Sequence, residues 1–137
     1  MSSFWADLAA RSHLHIIYAF GSRAKEVAAL GADPRQHLPK TSSDVDIGVK
    51  PAPGTYLGPL EKVDIAQEIE EVLGVAKVDL LVVPEVDPFL AANIIRGERL
   101  YCAHKDLADE YDLYILRRAG DCIPLERERI ALIMEGQ

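Results

Sequence analysis

Residues 44–49, Asp-Val-Asp-Ile-Gly-Val, alternate without a break, and that alternation admits one local structure. A period of two puts Val45, Ile47 and Val49 on one face of an extended strand and Asp44 and Asp46 on the other. The apolar face has to be buried, so the strand belongs to a sheet. Two carboxylates at i and i+2 then stand about 6–7 Å apart on one side of it. Aspartate is disfavoured in strands, and burial worsens the repulsion between like charges. A divalent cation is the simplest agent that would hold such a pair together.

Two further apolar runs flank this one. Residues 14–20 (LHIIYAF) are apolar, aromatic and β-branched, which predicts a buried strand ended by Gly21-Ser22. A helix over 23–30, closed by Gly31, follows. Residues 78–83 (VDLLVV) predict a second buried strand, stopped by Pro84. Asp79 interrupts it. Parity places Asp79, Leu81 and Val83 on one side and Val78, Leu80 and Val82 on the other. An unpaired carboxylate in such a run is costly. Asp79 therefore meets a metal, a base, with Lys77 and Arg96 as the candidate partners, or a surface position near the strand end. If the three strands are neighbours, Asp44, Asp46 and Asp79 converge beside the Gly21-Ser22 turn.

That turn suits an anion. Glycine permits a tight bend and close approach of the backbone to a ligand. The helix after it offers free N–H groups, and the Ser22 hydroxyl adds a hydrogen bond. Gly-Ser is ordinary turn material by itself, and only the aspartates give it meaning. Together they fit attack on the α-phosphate of a nucleoside triphosphate, with pyrophosphate leaving. Asp44, Asp46 and Asp79 would hold Mg²⁺. Gly21 and Ser22 would grip the β and γ phosphates; Arg23 and Lys25 either neutralise their charge or are surface residues.

The rest of the chain supplies the scaffold. A helix is expected over 3–11, with Phe4, Trp5 and Leu8 at helical spacing. Another spans 60–73, with Leu60, Val63, Ala66, Ile69, Val72 and Leu73 as its stripe. Asp87-Pro88 starts a third, whose inner face is Leu90, Ala91, Ile94 and Ile95. Residues 100–103 read as a short edge strand. Beyond them Leu107, Tyr111, Tyr114 and Ile115 share a helical face, Gly120 breaks that helix, and Pro124 starts a last one bearing Leu125, Leu132 and Ile133. Residues 32–43 contain two prolines and no periodicity and read as a surface loop. The fold class is α/β, a small mixed sheet flanked by helices. A single domain is expected over 1–137, with a core at about 14–101 and a helical tail at about 104–135.

Composition narrows the function. The net charge of −7 argues against direct nucleic-acid binding, which uses basic surfaces. It leaves room for an acidic face that docks on a basic partner. No run is long and apolar enough to cross a bilayer. Cys102 and Cys122 lack zinc spacing, and two cysteines fit a reducing, cytoplasmic setting. His13 and His15 flank the first strand and read as structural, as do Tyr111 and Tyr114.

The stretches Gly21-Ser22-Arg23-Ala24-Lys25, Ser43-Asp44-Val45-Asp46-Ile47 and Val78-Asp79-Leu80-Leu81-Val82 resemble those of the minimal nucleotidyltransferases of the polymerase-β superfamily. More narrowly they resemble the MntA-type antitoxins that pair with HEPN-domain ribonuclease toxins. Residues 88–101 (PFLAANIIRGERLY) add to the likeness. The resemblance implies a polymerase-β-like nucleotidyltransferase fold, ATP and Mg²⁺, and a hetero-oligomer with a HEPN ribonuclease. It further implies transfer of AMP to a tyrosine hydroxyl of that toxin, which neutralises it. It assigns Gly21 and Ser22 to the nucleotide and Asp44, Asp46 and Asp79 to the metal. The chain departs from the pattern between Arg23 and Ser43, an interval longer than the family's compact loop, in which Glu26 replaces a usual glycine. Surface insertions cost little, and this one offers Arg35, His37 and Lys40 as extra phosphate ligands. The competing expectations are an antitoxin that acts by stoichiometric binding and a nucleotidyltransferase acting on a small molecule.

Overall fold

The computed structural model describes residues 3–31 and 44–122, with side chains described as far as Gly120. The loop at 32–43, with Arg35, His37 and Lys40, and the final helix expected from Pro124 lie outside the described residues. Helix α1 (Phe4–Ser12) opens on Ser3, whose hydroxyl accepts from the Ala6 amide at 2.9 Å. Strand β1 (Leu14–Phe20), the short helix α2 (Ala24–Ala29) and strand β2 (Val45–Pro51) follow. Helix α3 (Pro59–Leu73) ends on Gly74 in the left-handed conformation. Strand β3 (Val78–Val82) runs through a single 3₁₀ turn into α4 (Pro88–Ile95), where the Asp87 carboxylate caps Phe89 and Leu90. Strand β4 (Glu98–Cys102) and the long helix α5 (Lys105–Cys122) complete the described chain.

The sheet order is β3-β2-β1-β4. β1 is antiparallel to both β2 and β4, while β2 and β3 are parallel. Helices cover both faces. Ile17, Ala19, Val45, Ile47 and Val49 point to α1, α2 and α3, in a core built around Trp5, Leu8, Ile69 and Leu73. Ile16, Tyr18 and Phe20 point the other way, to Ala91, Ala92 and Ile94 of α4 and Ala108, Ile115 and Ala119 of α5. Central β1 is buried on both sides and so reads as a continuous apolar run. β2 has one apolar side only. Its other side carries Asp46, Gly48 and Lys50. A side chain at Gly48 would collide with Ile94, which packs on it beside Val83. The middle of that face is thus sealed by α4, and a charged residue emerges at each end.

Four expectations need correction. β3, expected to be a buried strand, lies at the sheet edge, with Leu80 and Leu81 only partly buried. On α3, Leu60 is 80 % and Val63 50 % exposed, whereas Ile65, Ile69 and Leu73 are buried. The helix meets the core through its later turns, at i, i+4 spacing. On α5, Leu107 and Tyr114 are exposed, and the inward stripe is Ala108, Asp112, Ile115 and Ala119. A charged residue disguised that stripe. Asp112 accepts from the Tyr18 hydroxyl at 2.6 Å and from Arg99 at 2.7 Å, which ties α5 to β1 and β4. Burial, then the bond to Asp112, pushes the Tyr18 hydroxyl well above the usual phenol range, so it remains a donor. Nor does Gly120 break the helix, which continues to Cys122. One glycine costs a helix about 1 kcal/mol and does not end it alone.

Asp112→Ala strands the buried Tyr18 hydroxyl and half of the Arg99 pairing. A loss of about 1–3 kcal/mol is expected, read by urea denaturation. Tyr18→Phe, which leaves the Arg99–Asp112 pair intact, should cost less.

Candidate active site

At the end of the sheet where β1 finishes, β2 and β3 begin. Phe20 faces Asp46 across the β1–β2 ladder, and Asp46 is in register with Asp79 across β2–β3. Registered residues on parallel neighbours project to the same side, so the two carboxylates are adjacent. Asp44 stands one pleat before Asp46. The Asp46 carboxyl is held above its ordinary range by burial first, then by the charge of Asp79, then by that of Asp44. The three groups therefore share one electrostatic environment. Asp44 and Asp79 both face Lys77, whose ammonium lies 3.9 Å from Asp44 and 3.5 Å from Asp79. A single cation thus already bridges two of the three. These are exposed pairs and add little stability. Arg96, the other base considered for Asp79, makes no ion pair with it among the described residues.

Gly21 is what lets the turn reach this cluster. Its φ is +77°, a conformation that other residues adopt at a cost. A Cβ at Gly21 would overlap the Asp46 carboxylate, whose Cγ would lie 3.3 Å away. The bare Cα therefore makes room for Asp46, and the next residue, Ser22, is exposed at the mouth of the site. Helix α2 has only six residues, so an N-terminal dipole adds less here than the sequence implied. Arg23 is turned inward. It is 3 % exposed and pairs with Glu26 at 3.1 Å, one turn along. That placement makes it a support for the turn. Lys25 is exposed beside the open cleft.

The cleft has a volume of about 390 Å³ and is lined by Gly21, Ser22 and Lys25 on one side and Asn93, Arg96 and Glu98 on the other. Sequence reasoning missed the last three as site residues. No local motif announces them; the turn from α4 to β4 brings them in. Gly97 makes that possible, since a Cβ there would strike the Ala19 carbonyl and the Phe20 Cα. In the sequence this glycine reads only as a helix terminator.

The described residues contain no set of three His, Cys, Asp or Glu side chains drawn tightly enough to hold an ion as they stand. The donor set nonetheless suits a hard divalent cation, being all carboxylate oxygen. Burial, and after it the charges of Asp79 and Asp44, raise Asp46, and the Lys77 ammonium pairs with Asp44 and Asp79, an arrangement whose like charges a bound cation would relieve. No described helix is long and apolar enough to cross a membrane.

A family model described as polymerase beta, nucleotidyltransferase, matches residues 7–106. No curated protein matches the sequence. Among solved structures, a mutant of the toxin–antitoxin MntA–HpeT is similar at 21 % identity and a TM-score of 0.63, covering 94 % of this chain and 92 % of that one. A toxin–antitoxin structure with AMP-PNP is similar at 20 % identity, with the same TM-score and coverage. A tri-AMPylated Shewanella oneidensis HEPN toxin in complex with MNT antitoxin is similar at 19 % identity and a TM-score of 0.60, covering 94 % and 89 %. At these identities the likeness is one of fold.

Proposed function

We infer the function from one premise: the chain belongs to the polymerase beta nucleotidyltransferase family. The reading best supported is an antitoxin that transfers AMP from ATP to a tyrosine hydroxyl of a HEPN-domain ribonuclease and so neutralises it. The observation that carries it is the in-register pair Asp46–Asp79, set against the bare Cα of Gly21. The similar structures supply the rest, since one holds AMP-PNP and another contains a tri-AMPylated HEPN toxin with its MNT antitoxin.

Each residue has a role in this reading. Asp44, Asp46 and Asp79 would hold Mg²⁺, which when bound supplies Lewis-acid stabilisation of the attacking and leaving oxygens. Ser22 and the Gly21 backbone hold the β and γ phosphates at the mouth of the cleft. Lys25 faces those phosphates, and buried Arg23 fixes the turn that presents Ser22. Asp79, in register with Asp46, accepts the proton of the incoming tyrosine hydroxyl. The oxygen then bonds to the α-phosphorus, and the bond from the α-phosphorus to the bridging oxygen breaks, releasing pyrophosphate. The acceptor wall comes from the toxin, in a hetero-oligomer.

A second reading, binding without catalysis, is favoured by Lys77. Its ammonium already neutralises two of the carboxylates that a metal needs. ATP labelled in the α- or the γ-phosphate separates the two when it is incubated with Mg²⁺ and the HEPN partner. Adenylyl transfer marks the partner from the α-label only. A stoichiometric binder leaves both labels free, and that result would remove the proposed activity.

A further inference from the structure

The opposite end of the sheet carries a second cavity, of about 350 Å³, between the start of β1, the end of β2 and the first turns of α5. Nothing in the chemistry above uses it. Three basic side chains meet there: His15 from β1, Lys50 from β2 and His104 from just before α5. Their convergence is built by a backbone irregularity. His15 and Ile16 are consecutive, so strict alternation would send them to opposite faces. The β1–β2 register shifts between Leu14 and Ile16, and both residues line the cavity. Bulges re-aim side chains in this way. The two imidazoles lie edge to face, 6.0 Å apart.

Lys50 lacks a counter-charge. It is partly buried, it donates to its neighbour's carbonyl, that of Pro51, at 3.3 Å, and among the described residues no carboxylate pairs with it. Its ammonium sits 5.0 Å from the centre of the Tyr111 ring. Burial holds the lysine below its usual range, and burial, Lys50 and His104 together lower His15. A half-buried cation among further basic groups is costly unless an anion completes it. The walls are otherwise apolar and aromatic, with Ile16, Leu107 and Tyr111, and Glu110 stands at the rim. The volume falls in the range of small-molecule sites.

We propose that this cavity is a second ligand site, distinct from the carboxylate cluster, and that it takes a phosphate monoester carrying a planar ring, that is, a mononucleotide. The phosphate sits among Lys50, His15 and His104, the ring lies against Tyr111, and Glu110 accepts from ring or sugar donors.

The test is an NMR titration of the histidine ring protons of the full chain in EDTA, with AMP, inorganic phosphate and adenosine as separate probes. AMP should shift His15 and His104 saturably, leave His13 unmoved, and raise both titration midpoints by about one pH unit, as a nearby opposite charge does. Inorganic phosphate should bind more weakly, and adenosine should leave the midpoints unchanged. Lys50→Met keeps the alkyl stem and should weaken AMP by roughly tenfold or more. Asp46→Asn, at the other end of the sheet, should bind AMP as the unaltered protein does. Histidine resonances that do not saturate with AMP into the millimolar range would overturn the proposal. So would equal AMP affinity in Lys50→Met, or a response abolished by Asp46→Asn.

Discussion

Asp46→Asn is expected to lower adenylyl transfer by about 10²–10³-fold, the order lost when one preorganised electrostatic contact is removed from an enzyme site, while making the protein more stable. The two effects share one cause. Burial, Asp79 and Asp44 hold the Asp46 carboxyl above its ordinary range. A carboxyl raised in the folded state opposes folding once it is ionised, and that opposition fades as the pH falls and the group protonates. Asparagine removes the charge and keeps the shape. In EDTA at neutral pH the melting temperature should therefore rise, and the gain should disappear in acid. A fall in melting temperature at neutral pH would mean that Asp46 is a structural anchor, and the lost activity would then say nothing about a metal.

Gly21→Ala is expected to damage both activity and stability. Alanine at φ +77° costs about 1–2 kcal/mol, and its Cβ would enter the space held by the Asp46 carboxylate. Displacing that carboxylate by about 1 Å is enough for a rate loss on the order of 10²-fold. Gly31 provides the control. Its φ is +68°, but a Cβ there meets nothing within 4 Å among the described residues. Gly31→Ala should thus show the strain in a thermal melt and keep its transfer rate. Equal rate losses in the two variants would contradict the direct contact between Gly21 and Asp46.

The elements most legible in the sequence were those whose pattern has one physical solution. β1 is apolar at nearly every position because both of its faces are covered, and its observed bounds are those expected. In β2, Val45, Ile47 and Val49 are buried and Asp46 is turned away from them, as a period of two requires. The parity of β3 set Asp79 apart from Val78, Leu80 and Val82, and the register of the two strands puts it beside Asp46. The parts that were not legible depend on contacts far apart in the chain. Asp112 occupies the buried stripe of α5 because Tyr18 and Arg99 satisfy it, and nothing near residue 112 signals a partner 94 residues away. The stripe of α3 was drawn too early because Leu60 and Val63 share the helical period of residues that do meet the sheet. Asn93, Arg96 and Glu98 reach the cleft only because Gly97 fits against the end of β1. Arg23 is the converse case: its place in a motif suggested either a phosphate ligand or a surface residue, and its side chain is buried and paired with Glu26.

Adenylyl transfer to a partner is tested most directly by the intact mass of a HEPN ribonuclease co-expressed with this chain. With the unaltered chain the ribonuclease should gain one or more whole adenylate masses and lose its RNA cleavage. With Asp44→Asn/Asp46→Asn it should keep its own mass, even where the two proteins still co-purify. A ribonuclease of unchanged mass that is silenced equally by both forms of the chain would contradict the transfer and leave inhibition by binding alone.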